Sequence, residues 1–214
     1  MLVPAPDAVV FDLDGVLIDS REPVRLAINA ALRAHGLAQR PGPELDRYIG
    51  PTVLDGFAEL TGQPPRSALV AACAETYNEC YERVHLATTT LVDGIDQVLR
   101  ALAMPLAIAS SKPARFVVPL LRALGIADCF VVVEAPAMDA LDEPKEVTLA
   151  RALAALAASD AVIVGDRGSD VAAAQHNAIR AVGVSWGIGT RAELRGADAI
   201  VDSPAQLLGL LAAG

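Results

Sequence analysis

At 214 residues, 53% of them hydrophobic, the chain can bury a full core and reads as one domain, or one domain with an insertion, rather than a disordered polymer. Its formal charge of −9 argues against a nucleic-acid partner, and any anionic substrate would have to be drawn in by local cations. There is no apolar stretch of about eighteen residues and no basic, then apolar leader, so the expectation is a cytoplasmic protein with no membrane partner.

In chain order, the first apolar run, 8–11, predicts a buried strand. Residues 22–34, 53–60 and 66–84 carry helical spacing with no convincing strand among them. Within the last of these, Cys73 and Cys80 lie on one helical face. With Cys129 they lack any CxxC or zinc-type spacing, so reduced structural roles are expected. From residue 92 onward, short apolar runs alternate with helical patterns. Strands are expected at 105–109, 129–133, 161–164, 179–184 and 199–201, and helices at 95–102, 113–124, 144–157 and 171–176. Pro113 and Pro144 fit a first helical turn, and Gly125 fits a helix stop. The pattern predicts an α/β fold: a Rossmann-like parallel sheet with helices on both faces, plus an inserted α-helical cap. The core would comprise 1–18 and 92–214, and the cap 19–91.

The first strand runs into FDLDGVLIDS, residues 11–20. In extended backbone, side chains two apart share a face, so Asp12 and Asp14 can converge at the carboxyl end of a strand. Such a pair repels itself unless a cation or a shared proton intervenes. A plain turn uses the same residue types, and a calcium loop is disfavoured because Val16, Leu17 and Ile18 follow at once. Later strand ends bring companions. Ser110, Ser111 and Lys112 precede the helix at Pro113 as an anion cradle. Lys145 places an ammonium near a helix start. Gly165 and Asp166 follow the strand at 161–164, so that Asp12, Asp14 and Asp166 make an oxygen-rich set suited to Mg²⁺. Each element alone has a bland reading as cap, turn or solvated side chain; their joint occurrence points to a site.

Together these motifs resemble the haloacid-dehalogenase superfamily of phosphohydrolases, in its phosphoglycolate-phosphatase-like branch with a helical cap. FDLDGVLIDS is similar to the first motif, Ser110 in IASSKP to the second, Lys145 to the third and VGDRGSD to the fourth. The resemblance implies that Asp12 is the nucleophile and Asp14 the general acid and base. Mg²⁺ would be held by the carboxylates of Asp12 and Asp166 and the backbone carbonyl of Asp14, with Asp170 ordering it from behind. Ser110, Ser111 and Lys145 would bind the phosphoryl group, and Gly50, Lys112 and Arg167 would face the substrate. The implied activity is Mg²⁺-dependent hydrolysis of a small-molecule phosphate monoester (phosphoglycolate-like, sugar phosphate or nucleotide) by a monomer or homodimer. A phosphomutase and a phospho-accepting switch without turnover are the alternatives. In the cap, Tyr77–Asn78 departs from the family's Tyr-Arg and removes a cation. The G-x-G-x-x-A string at 187–192 is read as a turn or substrate-side loop rather than a dinucleotide fingerprint. His35, His85 and His176 are read as surface residues, and Arg21 and Trp186 as weaker site candidates.

Overall fold

The computed structural model describes residues 6–138, 140 and 143–212; the outermost ends of the expected core segments, residues 1 and 214, lie outside them. The chain begins with strands β1 (Ala8–Phe11) and β2 (Ile18–Asp19), followed by helices α1 (Arg21–Ala34), α2 (Gly42–Leu45), α3 (Val53–Thr61) and α4 (Ala68–Thr88). It returns through β3 (Thr90–Leu91) and continues as α5 (Ile95–Ala101), β4 (Leu106–Ala109), α6 (Ala114–Ala123) and β5 (Val132–Glu134). The remainder is α7 (Lys145–Leu156), β6 (Ala161–Gly165), α8 (Gly168–His176), β7 (Arg180–Val184), β8 (Ala199–Val201) and α9 (Pro204–Leu211). Two compact units result, Met1–Asp19 with Leu91–Gly214, and Ser20–Thr90.

The first unit is α/β. Its six-stranded sheet runs β5-β4-β1-β6-β7-β8, and every pairing in it is parallel. β1 reads AVVF and is buried along its whole length, as a central parallel strand covered on both faces must be. Alternate residues pack to opposite sides. Val9 and Phe11 join Ile108 and Val164 in a cluster with α5, α6 and α9, whereas Val10, Ala107 and Ile163 pack with Leu149 and Ala152 of α7 and Ala173 of α8. The helices therefore cover both faces, as expected. Strand order reverses at β1, where open sheets of this kind form a crevice beyond their carboxyl ends.

Gly125 stops α6 as expected. It adopts φ 69°, and the Ile126 N–H reaches back to the Leu121 carbonyl at 3.1 Å. The strand expected at 129–133 instead begins at Val132, because Ala127–Cys129 first closes a 3₁₀ turn. Pro113 and Pro144 stand one residue earlier than expected, as N-caps of α6 and α7. α8 begins at Gly168, three residues before the apolar spacing starts, because Asp170 accepts the Arg167 N–H at 3.0 Å and caps the first turn. α9, announced by Ser203 as its N-cap and Pro204 in its first turn, has no counterpart in the expected helices.

The second unit is helical. Thr52 and Ser67 cap α3 and α4 through side-chain oxygens. Cys73 and Cys80 are free and buried on α4, and Cys129, in the α/β unit, is free and half-buried. The surface reading of His85 is corrected. It is 4% exposed, stacks on Tyr81 and donates from Nδ1 to the Tyr81 carbonyl at 2.9 Å, because the spacing of four on a buried helix face sets the two rings together. His35 is half-buried against Thr76, and His176 is exposed. No described helix is long and apolar enough to cross a membrane.

Candidate active site

Strand register delivers the chemistry. Phe11 is level with Ile108 on one side and Val164 on the other, so the chain leaves β1 at Asp12, β4 at Ser110 and β6 at Asp166 at nearly the same height. The Asp12 N–H continues the ladder to the Val164 carbonyl at 2.9 Å. Leu13, wholly buried, then anchors the bend that carries the chain to Asp14.

Asp12 and Asp14 each meet a lysine ammonium. The Lys145 ammonium contacts Asp12 Oδ1 and lies 3.0 Å from Asp170 Oδ1. The Lys112 ammonium straddles Asp14, 2.9 Å from Oδ1 and 3.0 Å from Oδ2. Strand geometry ends at Phe11, and beyond it each acid meets its own lysine. Lys145 is the first residue of α7, where the helix dipole disfavours a cation, so its carboxylate partners are what hold it there. Burial by itself would push this ammonium toward neutrality; Asp12 and Asp170 outweigh burial and hold it above the ordinary lysine value. A brace behind it fixes the helix start. Arg151 donates to Glu143 at 2.6 and 2.8 Å and to Glu134 at 2.9 Å, and Thr148 Oγ1 donates to Glu143 at 2.7 Å.

Asp166 is wholly buried and touches three glycines. A β-carbon on Gly15, Gly187 or Gly189 would overlap it. Its Oδ2 accepts the N–H groups of Ile188 at 2.6 Å and Gly189 at 3.1 Å, while Oδ1 is buried and accepts no hydrogen bond from any described residue. Burial pushes the Asp166 carboxyl up to about 6 despite those two N–H bonds. Burial also raises Asp12 well above the usual carboxylate range; Lys145 pulls it back, and Asp170 and Asp166 push it further up.

Asp12, Asp166 and Asp170 each bring a carboxylate oxygen within 4.8 Å of the others. Three buried carboxylates against one ammonium leave an excess of negative charge. Among the described residues, the buried Oδ1 of Asp166 finds none of the partners that buried polar atoms require. An all-oxygen donor set of this kind fits a hard divalent cation.

The other expected residues are placed as follows. Ser110 is fully buried, and its Oγ accepts the Lys112 N–H at 3.1 Å, which closes the turn after β4. Ser111 is exposed. Arg167 turns to Glu193 at 3.1 Å. Gly50 belongs to the helical unit, at φ 104°. The Arg151–Glu143 brace has no counterpart in the sequence reading, its one signal being the helical spacing to the Lys145 turn. The string at 187–192, read as a turn or substrate-side loop, supplies the two N–H groups that meet Asp166.

A family model for haloacid dehalogenase-like hydrolases matches residues 9–184. A phosphoglycolate phosphatase of Pectobacterium atrosepticum is 31% identical to the chain, over 95% of this sequence and 91% of its own. A 5′-nucleotidase of Pseudomonas aeruginosa is 30% identical, over 87% of this sequence and 86% of its own. Among solved structures, a predicted phosphatase from Clostridium acetobutylicum superposes with a TM-score of 0.90 at 26% identity, covering 98% of this chain and all of its own (100%).

Proposed function

The chain belongs to the haloacid dehalogenase-like hydrolases, and from that premise we propose that it is a Mg²⁺-dependent phosphatase of small-molecule phosphate monoesters that works through an aspartyl phosphate on Asp12. The observation that carries this reading is the buried group of Asp12, Lys145, Asp170 and Asp166, with one Asp166 oxygen left over. The carboxylates of Asp12 and Asp166 and the Asp14 carbonyl would hold Mg²⁺, and Asp170 would orient the set through Lys145. Bound there, Mg²⁺ supplies Lewis-acid stabilisation of charge on the phosphoryl oxygens.

The chain's own residues do the rest. A carboxylate oxygen of Asp12 attacks phosphorus, and the ester oxygen leaves as an alcohol with a proton from Asp14. Asp14 then takes a proton from water as that water attacks the aspartyl phosphate, releasing inorganic phosphate and restoring Asp12. Lys145 draws Asp12 toward its ionised form against the effect of burial and meets a phosphoryl oxygen, with the turn at Ser110 and Ser111 binding the other oxygens. Gly50, Lys112 and Arg167 stand as substrate-side residues, and Ser20–Thr90 as the cap that selects the substrate. The names of the relatives support phosphoglycolate-like compounds and nucleotides as the first esters to try, beside sugar phosphates.

The test is phosphate release from p-nitrophenyl phosphate and a panel of metabolite phosphates. Wild type should turn over at least one ester, lose activity on chelation and regain it with Mg²⁺. Asp12→Asn should fall by at least about 10³-fold, the scale seen when a covalent nucleophile is removed. An Asp12→Asn protein as active as wild type would overturn the reading. Isomerisation without phosphate release would replace it with a mutase, and a persistent aspartyl phosphate without turnover with a phospho-accepting switch.

A further inference from the structure

The turn at Gly187–Ile188–Gly189 lies outside every residue given a role above, yet it closes on Asp166. The N–H groups of Ile188 and Gly189 donate to the same carboxylate oxygen, Oδ2. The other oxygen, Oδ1, is buried and receives no hydrogen bond from the described residues. A β-carbon at 187 would overlap the Asp166 side chain, and one at 189 would overlap the Asp166 carbonyl oxygen. Neither glycine is among those with positive φ, so the demand for glycine at these positions is one of space and not of backbone conformation. Just upstream, Trp186 donates from its indole Nε1 to the Val16 carbonyl at 3.2 Å. Val16 follows Gly15, which also presses on Asp166. The turn is therefore tied to the fourth-motif acid on one side and to the first-motif loop on the other.

We infer that the 187–189 turn is a positioning device for the cation site: it fixes Asp166 so that Oδ1 alone is presented to the divalent ion, and through Trp186 it senses whether that ion is bound. The inference rests on the reading of Asp12 and Asp166 as cation ligands. Groups that orient a metal ligand through hydrogen bonds set its affinity, and their loss weakens binding by about 10- to 100-fold. A turn that merely fills space would lower stability without moving that affinity.

Trp186 is the sole tryptophan of the chain, so its emission reads the turn directly. Mg²⁺ titrated into metal-free wild type, followed by tryptophan emission and by calorimetry, should give a saturable emission change with the same Kd as the heat. Asp166→Asn should abolish both signals. Gly187→Ala should raise the Mg²⁺ Kd about tenfold or more, while Gly209→Ala, at a glycine with open space around it, should leave the Kd unchanged. Should Gly187→Ala fail to fold, Trp186→Phe, measured by calorimetry, should still raise the Kd several-fold. Mg²⁺ binding to wild type with an unchanged Kd in the folded variant would overturn the inference and leave the cation reading standing. A wild type that binds no Mg²⁺ would overturn both.

Discussion

Lys112 and Lys145 divide between them two acids that stand two positions apart. Because Lys112 holds Asp14 by both oxygens, its loss should free the carboxyl that the proposed mechanism uses to protonate the leaving alcohol. Lys112→Met is expected to lose about 10²-fold in kcat on an alkyl phosphate, and much less on p-nitrophenyl phosphate, whose leaving group needs no proton. Comparing the two esters in steady-state kinetics checks this. Lys145→Met leaves Asp12 and Asp170 buried without their ammonium, and should cost about 3–5 kcal/mol in urea unfolding. Asp166 makes a pH prediction. Its carboxyl stands at about 6 in the folded chain against an ordinary 3.8, so between those values the folded protein keeps a proton that the unfolded chain has released. Its contribution to stability is complete below pH 3.8 and is lost as pH rises toward 6. Metal-free wild type should therefore lose Tm over that interval relative to Asp166→Asn. If Asp166 holds the cation as proposed, the Tm gained on adding Mg²⁺ should grow as the proton leaves, since the two would compete for its carboxylate.

At the scale of elements, the strands that build the sheet were legible because a strand covered on both faces is a continuous apolar run. β1 and β8 have the bounds that their sequences suggest. Apolar pattern fails where a polar cap decides the boundary. α8 starts at Gly168 because Asp170 turns back on the Arg167 N–H, and hydrophobic spacing does not register that bond. It fails again at 129–133, where Cys129 and Phe130 are apolar enough for a strand but belong to a turn and its exit. The glycines at 187 and 189 were visible as a pattern. That they abut an acid more than twenty positions upstream was not, because packing partners so far apart leave no local trace. Caps can be tested singly. Ser67→Ala removes the oxygen that accepts the Val70 N–H at the start of α4 and should cost about 1 kcal/mol of unfolding free energy. It should leave Mg²⁺ affinity unchanged, since α4 contributes no carboxylate to the site.

At the scale of the molecule, each carboxylate of the candidate cation site, both lysines and the 187–189 turn come from the α/β unit. The chain leaves that unit through β2 and returns through β3, and these two strands pair with each other. Paired strands lie about 4.8 Å apart, so a short glycine-serine linker can join residue 19 to residue 91. A chain shortened in this way is expected to fold and to bind Mg²⁺ with a Kd within about threefold of wild type, since no ligand is lost; calorimetry on the shortened chain reads it. The level register of β4, β1 and β6 has a consequence of its own. The interstrand repeat is a ruler, and the groups that follow these three strands are graduations on it. Mutation can change the sign or the chemistry of a graduation one side chain at a time. The distance between graduations belongs to the backbone, and nothing short of breaking the ladder resets it.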